Sequence, residues 1–140
     1  MRAALSATAG AGSRVLAAGA AGGFAAGQTI GIIQMSGSRA GQLEEAVIAR
    51  GDGAGALHLQ HPLQHTFSVS VSDATRVMMI PQYTDLTVPS GATMTCVPWN
   101  GSTGGVLWIK VAGKLQNDGT LDVTGKGFTG GAASAGATGR

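Results

Sequence analysis

Residues 111–128 read VAGKLQNDGTLDVTGKGF and divide into three lines of six, VAGKLQ, NDGTLD and VTGKGF. Gly113, Gly119 and Gly125 hold the same place in each line, and Gly131 continues the spacing. Two residues after the glycine stand Leu115, Leu121 and then Gly127; two before it stand Val111, Asn117 and Val123. Apolar residues at a fixed phase beside a repeated glycine suit short strands that each turn one inward side chain, with glycine at the corner. A six-residue period of this kind predicts β-helix-like rungs, which bury their apolar face only against rungs above and below or against other subunits. A hairpin from Lys114 to Val123 around Asn117-Asp118-Gly119 accounts for the same residues nearly as well. Either way, Gly113, Gly119 and Gly125 are structural turns.

Upstream of this run, strands recur about every ten residues, with turn signals between them. Ile30, Ile32 and Ile33 in TIGIIQM predict one strand. Residues 43–50 could form a helical turn by propensity, but they are few and carry Val47 and Ile48, so they are read as β. Gly51-Asp52-Gly53-Ala54-Gly55 then turns the chain into residues 56–60, a plausible hairpin. Phe67, Val69 and Val71 alternate with serines, the period of a half-buried strand. Residues 76–80, 83–88 and 92–97 follow, the last two joined by Pro89-Ser90-Gly91. Residues 106–111, VLWIKV, are the strongest strand signal in the chain. They are expected at the centre of the core, with Trp108 packing there and Cys96, Val97 and Leu107 nearby.

The fold class expected is therefore all-β: a short-strand sandwich or barrel-like module leading into β-helix-like or hairpin rungs, with Gly/Ala-rich extended termini. Residues 1–27 read as a low-complexity Ala/Gly arm with one strand nucleus at Val15-Leu16. Residues 28–128 read as a β-rich structural domain, and residues 129–140 as a Gly/Ala-rich tail.

Composition narrows the function classes. The chain has 24 glycines in 140 residues, and only 11% of its residues are charged, against about 25% in a typical soluble domain. Low charge beside 44% hydrophobic residues describes a surface that meets other protein, hence an assembly. There is no heptad pattern and no run of about 18 apolar residues that a spanning helix requires. The N-terminus lacks the roughly 7–15 consecutive apolar residues of a secretory signal. Nine basic residues are scattered without an aromatic ladder, so no nucleic-acid partner is expected. Cys96 is the only cysteine. It reads as a small buried hydrophobe or, in an assembly, as an intersubunit thiol.

Catalytic chemistry is sparse. His58, His61 and His65 would share a helix face, but Pro62 and the strand pattern deny them that geometry. Asp118 and Asp122 offer too few oxygens for calcium. Glu44 and Glu45 are adjacent and on a strand point to opposite faces, which makes a poor acid–base pair. No metal, cofactor or catalytic residue is expected, and the chain is read as a non-enzyme. Asn100-Gly101-Ser102 matches a glycosylation sequon. Tyr83 and Trp99 are candidate glycan or receptor contacts, because aromatic faces stack on the apolar faces of sugars.

The stretch from Val77 to Gly131 carries a resemblance. Its PQYTDLTV strand, its WNGSTGGV loop and its LQNDGTLDVTGKGF run resemble a segment of phage virion appendage proteins, chiefly tail fibres, spikes and decoration proteins, and of large bacterial surface proteins. The resemblance covers about residues 23–131 and implies a structural role in a virion, assembly as a homotrimer, and other virion proteins as partners. It implies no catalytic residues. Such proteins usually continue well beyond the Gly-rich tract, where this chain departs from the pattern. The alternative is a bacterial cell-surface or secreted adhesion module that binds host-surface glycan.

Overall fold

The computed structural model describes residues 1–19 and 22–128, so the expected tail at 129–140 lies outside the described residues. The described chain is all-β. Its first half holds six strands: β1 (Arg2–Ala4), β2 (Val15–Ala17), β3 (Thr29–Gln34), β4 (Leu43–Gly51), β5 (Ala56–Leu59) and β6 (Thr75–Met79). They form one antiparallel sheet in the order β1-β6-β3-β4-β5-β2. The two outer strands meet again. Leu5 bridges Ala18, Ser6 N donates to Ala17 O at 2.9 Å, and Gly19 N donates to Ala4 O at 3.0 Å. The sheet thus curls into a half-barrel whose outer strands meet at this one bridge, which shortens the free edge an open sheet would expose.

A six-stranded barrel is narrow, and its interior takes side chains of mixed size. Ile30, Ile32, Ile48, Leu57, Val77 and Leu16 fill it, and Ala3 and Ala18 supply the small inward positions. This explains the alanine-rich beginning of the chain. The first 27 residues contribute two strands, where the sequence predicts one, because an inward alanine carries too weak a periodic signal to mark β1. Phe24 covers one end of the barrel, and Leu63 and Phe67, from the long loop after β5, cover the other. Here the predicted strand at 67–71 is corrected. Phe67 makes a single bridge to Ala9, and Val71 is fully exposed. The serines divert the backbone, with Ser70 Oγ accepting from Ser72 N and Asp73 N.

Polar groups buried at this end are paired. Gln34 Oε1 accepts from Ser68 N and Thr75 Oγ1, both at 2.8 Å, and its Nε2 donates to Ser36 O and Ser68 O. Gln34 and Thr75 are 1% and 0% exposed, and full pairing is what makes such burial tolerable.

After Ile80 the chain changes architecture. Strands β7 (Gln82–Tyr83), β8 (Leu86–Val88) and β9 (Thr93–Met94) form three sides of one turn; β10 (Lys110–Val111), β11 (Leu115–Asn117) and β12 (Thr120–Leu121) form the next. The pairs β7–β10, β8–β11 and β9–β12 are all parallel. Lys110 lies beside Gln82, Leu115 beside Leu86 and Thr120 beside Thr93, so one turn takes roughly 28 residues, a three-sided solenoid. The hairpin reading of 114–123 is thereby corrected: β11 and β12 pair with the preceding turn and not with each other. The six-residue period is the spacing of sides within a turn.

Gly113 and Gly119 occupy two of the corners. A Cβ on Gly113 would collide with Asp85 Oδ1 and lie 2.8 Å from Thr84 O; one on Gly119 would collide with the carbonyls of Pro89 and Ala92. Both corners stack on backbone of the turn before, where only glycine fits. Gly125 follows β12 with φ of 68°, a left-handed conformation that suits glycine.

The expectation for residues 106–111 is also corrected. Only Lys110 and Val111 are strand, and residues 106–109 are half-buried and outside the core. Carrying the β10–β7 register backwards would set Val106 to Ile109 beside Met78 to Pro81. Both edges of β6 are already taken, Met78 pairing with Arg2 on one side and Gly31 on the other. Pro81 has no N–H to offer. The most strand-prone tetrapeptide of the chain is left to cross the outer face of the barrel.

Candidate functional site

That crossing builds the seam between barrel and solenoid, where the aromatic and charged residues gather. Residues 95–109 run over the outer face of β1, β6 and β3. Trp108 lies on Gly31, where a Cβ would come within 2.5 Å of the indole ring. Gly31 sits between the inward Ile30 and Ile32, so it faces out and forms the socket. Gln82 Nε2 donates to Thr29 Oγ1, Ile80 N donates to Thr29 O at 3.0 Å, and Lys110 Nζ meets Glu45 Oε2 at 2.5 Å.

Trp99 stands farther along the same segment. Its ring has Phe128 at 4.7 Å between centroids and the Arg76 guanidinium 5.3 Å from its centroid. Burial lowers the pKa of Arg76 from its ordinary value, though arginine stays charged throughout the working range. One guanidinium N–H donates to Thr75 O at 2.9 Å, while the buried Nε has no partner among the described residues. Cation–π attraction to Trp99 thus offsets part of the desolvation of Arg76. Tyr83 lies on β7 in the first solenoid turn and is 37% exposed.

Two recesses flank the seam. One, of about 240 Å³, lies beneath the crossing segment and is walled by Met1, Arg2, Met78, Cys96, Leu107 and Trp108. Cys96 is a free, buried thiol in that wall. The other, of about 340 Å³, lies beside the Glu45–Lys110 pair, with Thr29, His61 and Gln64 around it.

The candidate ligand groups of the sequence are dispersed. Glu44 accepts from the backbone N–H groups of Gln64 and His65 and meets His65 Nδ1 at 3.2 Å, anchoring the loop that covers the barrel end. Glu45 points the other way, to Lys110, as strand alternation requires. His58 faces Arg50 at 3.5 Å. Among the described residues no group of three or more His, Cys, Asp or Glu is placed to hold a metal ion. Asp118 Oδ2 accepts from Gln116 Nε2 at 2.7 Å. Asp122 takes hydrogen bonds from the side chain and backbone N–H of Thr124, which lower its pKa. The seam residues that sequence reasoning missed are Arg76 and Gly31. For Gly31 a signal existed, since glycine inside a β-branched strand marks a close approach.

No family model matches the chain, and no curated protein matches it by sequence. Comparison with solved structures finds likeness to phage tailspikes. The Gp54 tailspike of Acinetobacter baumannii bacteriophage AP22, solved in complex with A. baumannii capsular saccharide, aligns with a TM-score of 0.50 at 9% identity, over 86% of this chain and 22% of that one. The tailspike protein gp49 from Pseudomonas phage LKA1 aligns with a TM-score of 0.45 at 13% identity, over 86% of this chain and 21% of that one. This chain therefore spans about a fifth of the length of either tailspike, and the likeness to the AP22 tailspike is one of fold.

Proposed function

We propose that this protein is a non-enzymatic structural component of a tailed-phage virion, of tail fibre, spike or decoration type, assembled as a homotrimer with other virion proteins as partners. The observation that carries the reading is the junction itself: a curled antiparallel half-barrel runs without a linker into a three-sided parallel solenoid. The AP22 tailspike shares this fold, and the PQYTDLTV, WNGSTGGV and LQNDGTLDVTGKGF segments resemble virion appendage proteins. Exposed Leu115, Leu121, Val123 and Phe128 on the second turn, in a chain with little charge, supply apolar area for neighbouring copies.

Light scattering on the full chain at micromolar concentration is expected to give the mass of a trimer, and a monodisperse monomer overturns the homotrimer. Mass spectrometry of purified phage particles is expected to find the chain. Its absence from particles, with selective glycan binding in an array, would favour the cell-surface adhesion module.

A further inference from the structure

The loop at residues 100–105 carries chemistry that neither fold nor assembly uses. Asn100 Oδ1 accepts two backbone hydrogen bonds, from Ser102 N at 3.0 Å and Thr103 N at 2.8 Å. Asn100 N donates to Thr103 O at 3.1 Å, which closes the turn. Gly101 has φ of 90°, nothing lies within 4 Å of the place a Cβ would take, and both residues are exposed. Among the described residues, the Gly101 N–H and the Asn100 side-chain amide nitrogen have no hydrogen-bond partner.

We propose that Asn100 is a site of spontaneous self-modification, converted to aspartate and isoaspartate through a succinimide formed with Gly101. The Gly101 nitrogen loses its proton to solvent base and attacks Asn100 Cγ, forming an N–Cγ bond. Negative charge develops on Oδ1, where the Ser102 and Thr103 N–H groups already point, the arrangement that stabilises an oxyanion. The Cγ–Nδ2 bond then breaks and ammonia leaves with protons from solvent. Water opens the ring at either carbonyl, giving aspartate or isoaspartate with no oxidant or reductant involved. Glycine matters because a side chain at position 101 would crowd the attacking nitrogen and resist the positive φ.

The other sites of similar sequence lack one element each. Asn117 lies in β11, and the N–H that would attack it, that of Asp118, donates to Val88 O at 2.8 Å. Asp52 Oδ1 also accepts two backbone N–H groups beside a glycine, but an ionised carboxylate is a poor electrophile. Gly119, after Asp118, is packed against Pro89 and Ala92. Each event at Asn100 adds one negative charge to a chain of formal net charge +2, next to the tryptophan that faces Arg76.

The full chain is incubated at physiological temperature across neutral to mildly alkaline pH and mapped by peptide mass spectrometry, with hydroxylamine to cleave the succinimide. Conversion is expected at Asn100 and not at Asn117, rising with pH, and at least as fast in the folded chain as in the urea-unfolded one. Gly101→Ala is expected to slow it several-fold. Equal conversion of the two asparagines, or slower conversion of Asn100 in the folded chain than in the unfolded one, overturns the proposal. The folded-to-unfolded ratio requires no variant, so a misfolded Gly101→Ala leaves the test intact.

Discussion

The barrel and the solenoid share a chain and a composition, yet they finish their structures differently. In the barrel, four of the six strands have neighbours on both sides, the outer two meet at the Leu5–Ala18 bridge, and the inward Ile30, Ile32, Ile48, Leu57, Leu59 and Val77 are enclosed. In the solenoid, strands of two or three residues have one paired edge each among the described residues, and Leu115, Leu121 and Val123 stay 42–47% exposed. A curled antiparallel sheet satisfies most of its own edges, whereas a solenoid turn is satisfied only by another turn. Cooperative stability is therefore expected to reside in the barrel, with the solenoid depending on the seam.

The sharpest way to break this contrast is to open a cavity on each side. Phe67→Ala, in the barrel core, is expected to cost about 3–5 kcal/mol. Leu121→Ala, half-exposed on the second turn, should cost under about 1 kcal/mol in the isolated chain. Urea denaturation of both variants checks this, and equal losses would end the claim that the barrel holds the stability. Next in size is the seam. Gly31→Val places carbon where the Trp108 ring lies and is expected to expel the indole. Tryptophan emission should shift to the red and Cys96 should become reactive to thiol reagents, while the barrel's β-sheet circular dichroism persists. A Cys96 that stays protected would show that the crossing segment holds without its socket.

A smaller effect is expected at the corners. Gly119→Ala meets backbone carbonyls that cannot swing away, at a cost of about 1–3 kcal/mol. Hydrogen exchange should report it at β8, β9, β11 and β12 and leave the barrel amides protected. The smallest concerns pH. Asp52 is held below the usual carboxylate range by backbone N–H bonds from Ala56 and then Ala54, and Asp122 by the Thr124 side chain and N–H. A carboxylate with a lowered folded pKa adds stability above its unfolded value near 3.8 and loses it as pH falls through the folded one. Both groups are exposed, so thermal melts should show a shallow decline only below about pH 4. Asp52→Asn, whose amide oxygen can still accept both N–H groups, should flatten the barrel's share of that decline.

Much of the barrel was legible in local pattern. The isoleucines of β3 and the Gly-Asp-Gly turn between β4 and β5 announce themselves within a few residues, because an antiparallel hairpin is a local structure. The glycine period was legible too, but its meaning was not. Whether glycines six apart separate rungs, hairpin strands or sides of one turn depends on partners roughly 28 residues away. The candidate residues divide along the same line. Tyr83 could be placed on a strand from its neighbours, whereas the Arg76 and Phe128 that stand by Trp99 come from distant segments.

By itself, the sequence determined an all-β chain, most of its strand positions, the glycine corners and the scarcity of charge. These follow from residue alternation, backbone freedom and solvation, which act over a few residues at a time. The tertiary structure alone decided that β1 and β2 meet as the sheet curls into a half-barrel, that the last strands pair parallel, and that residues 106–109 are not a strand. The reason in each case is occupancy. A strand has only two edges, and once β6 gives both to β1 and β3, even the most strand-prone segment must pack by its side chains, Trp108 on Gly31.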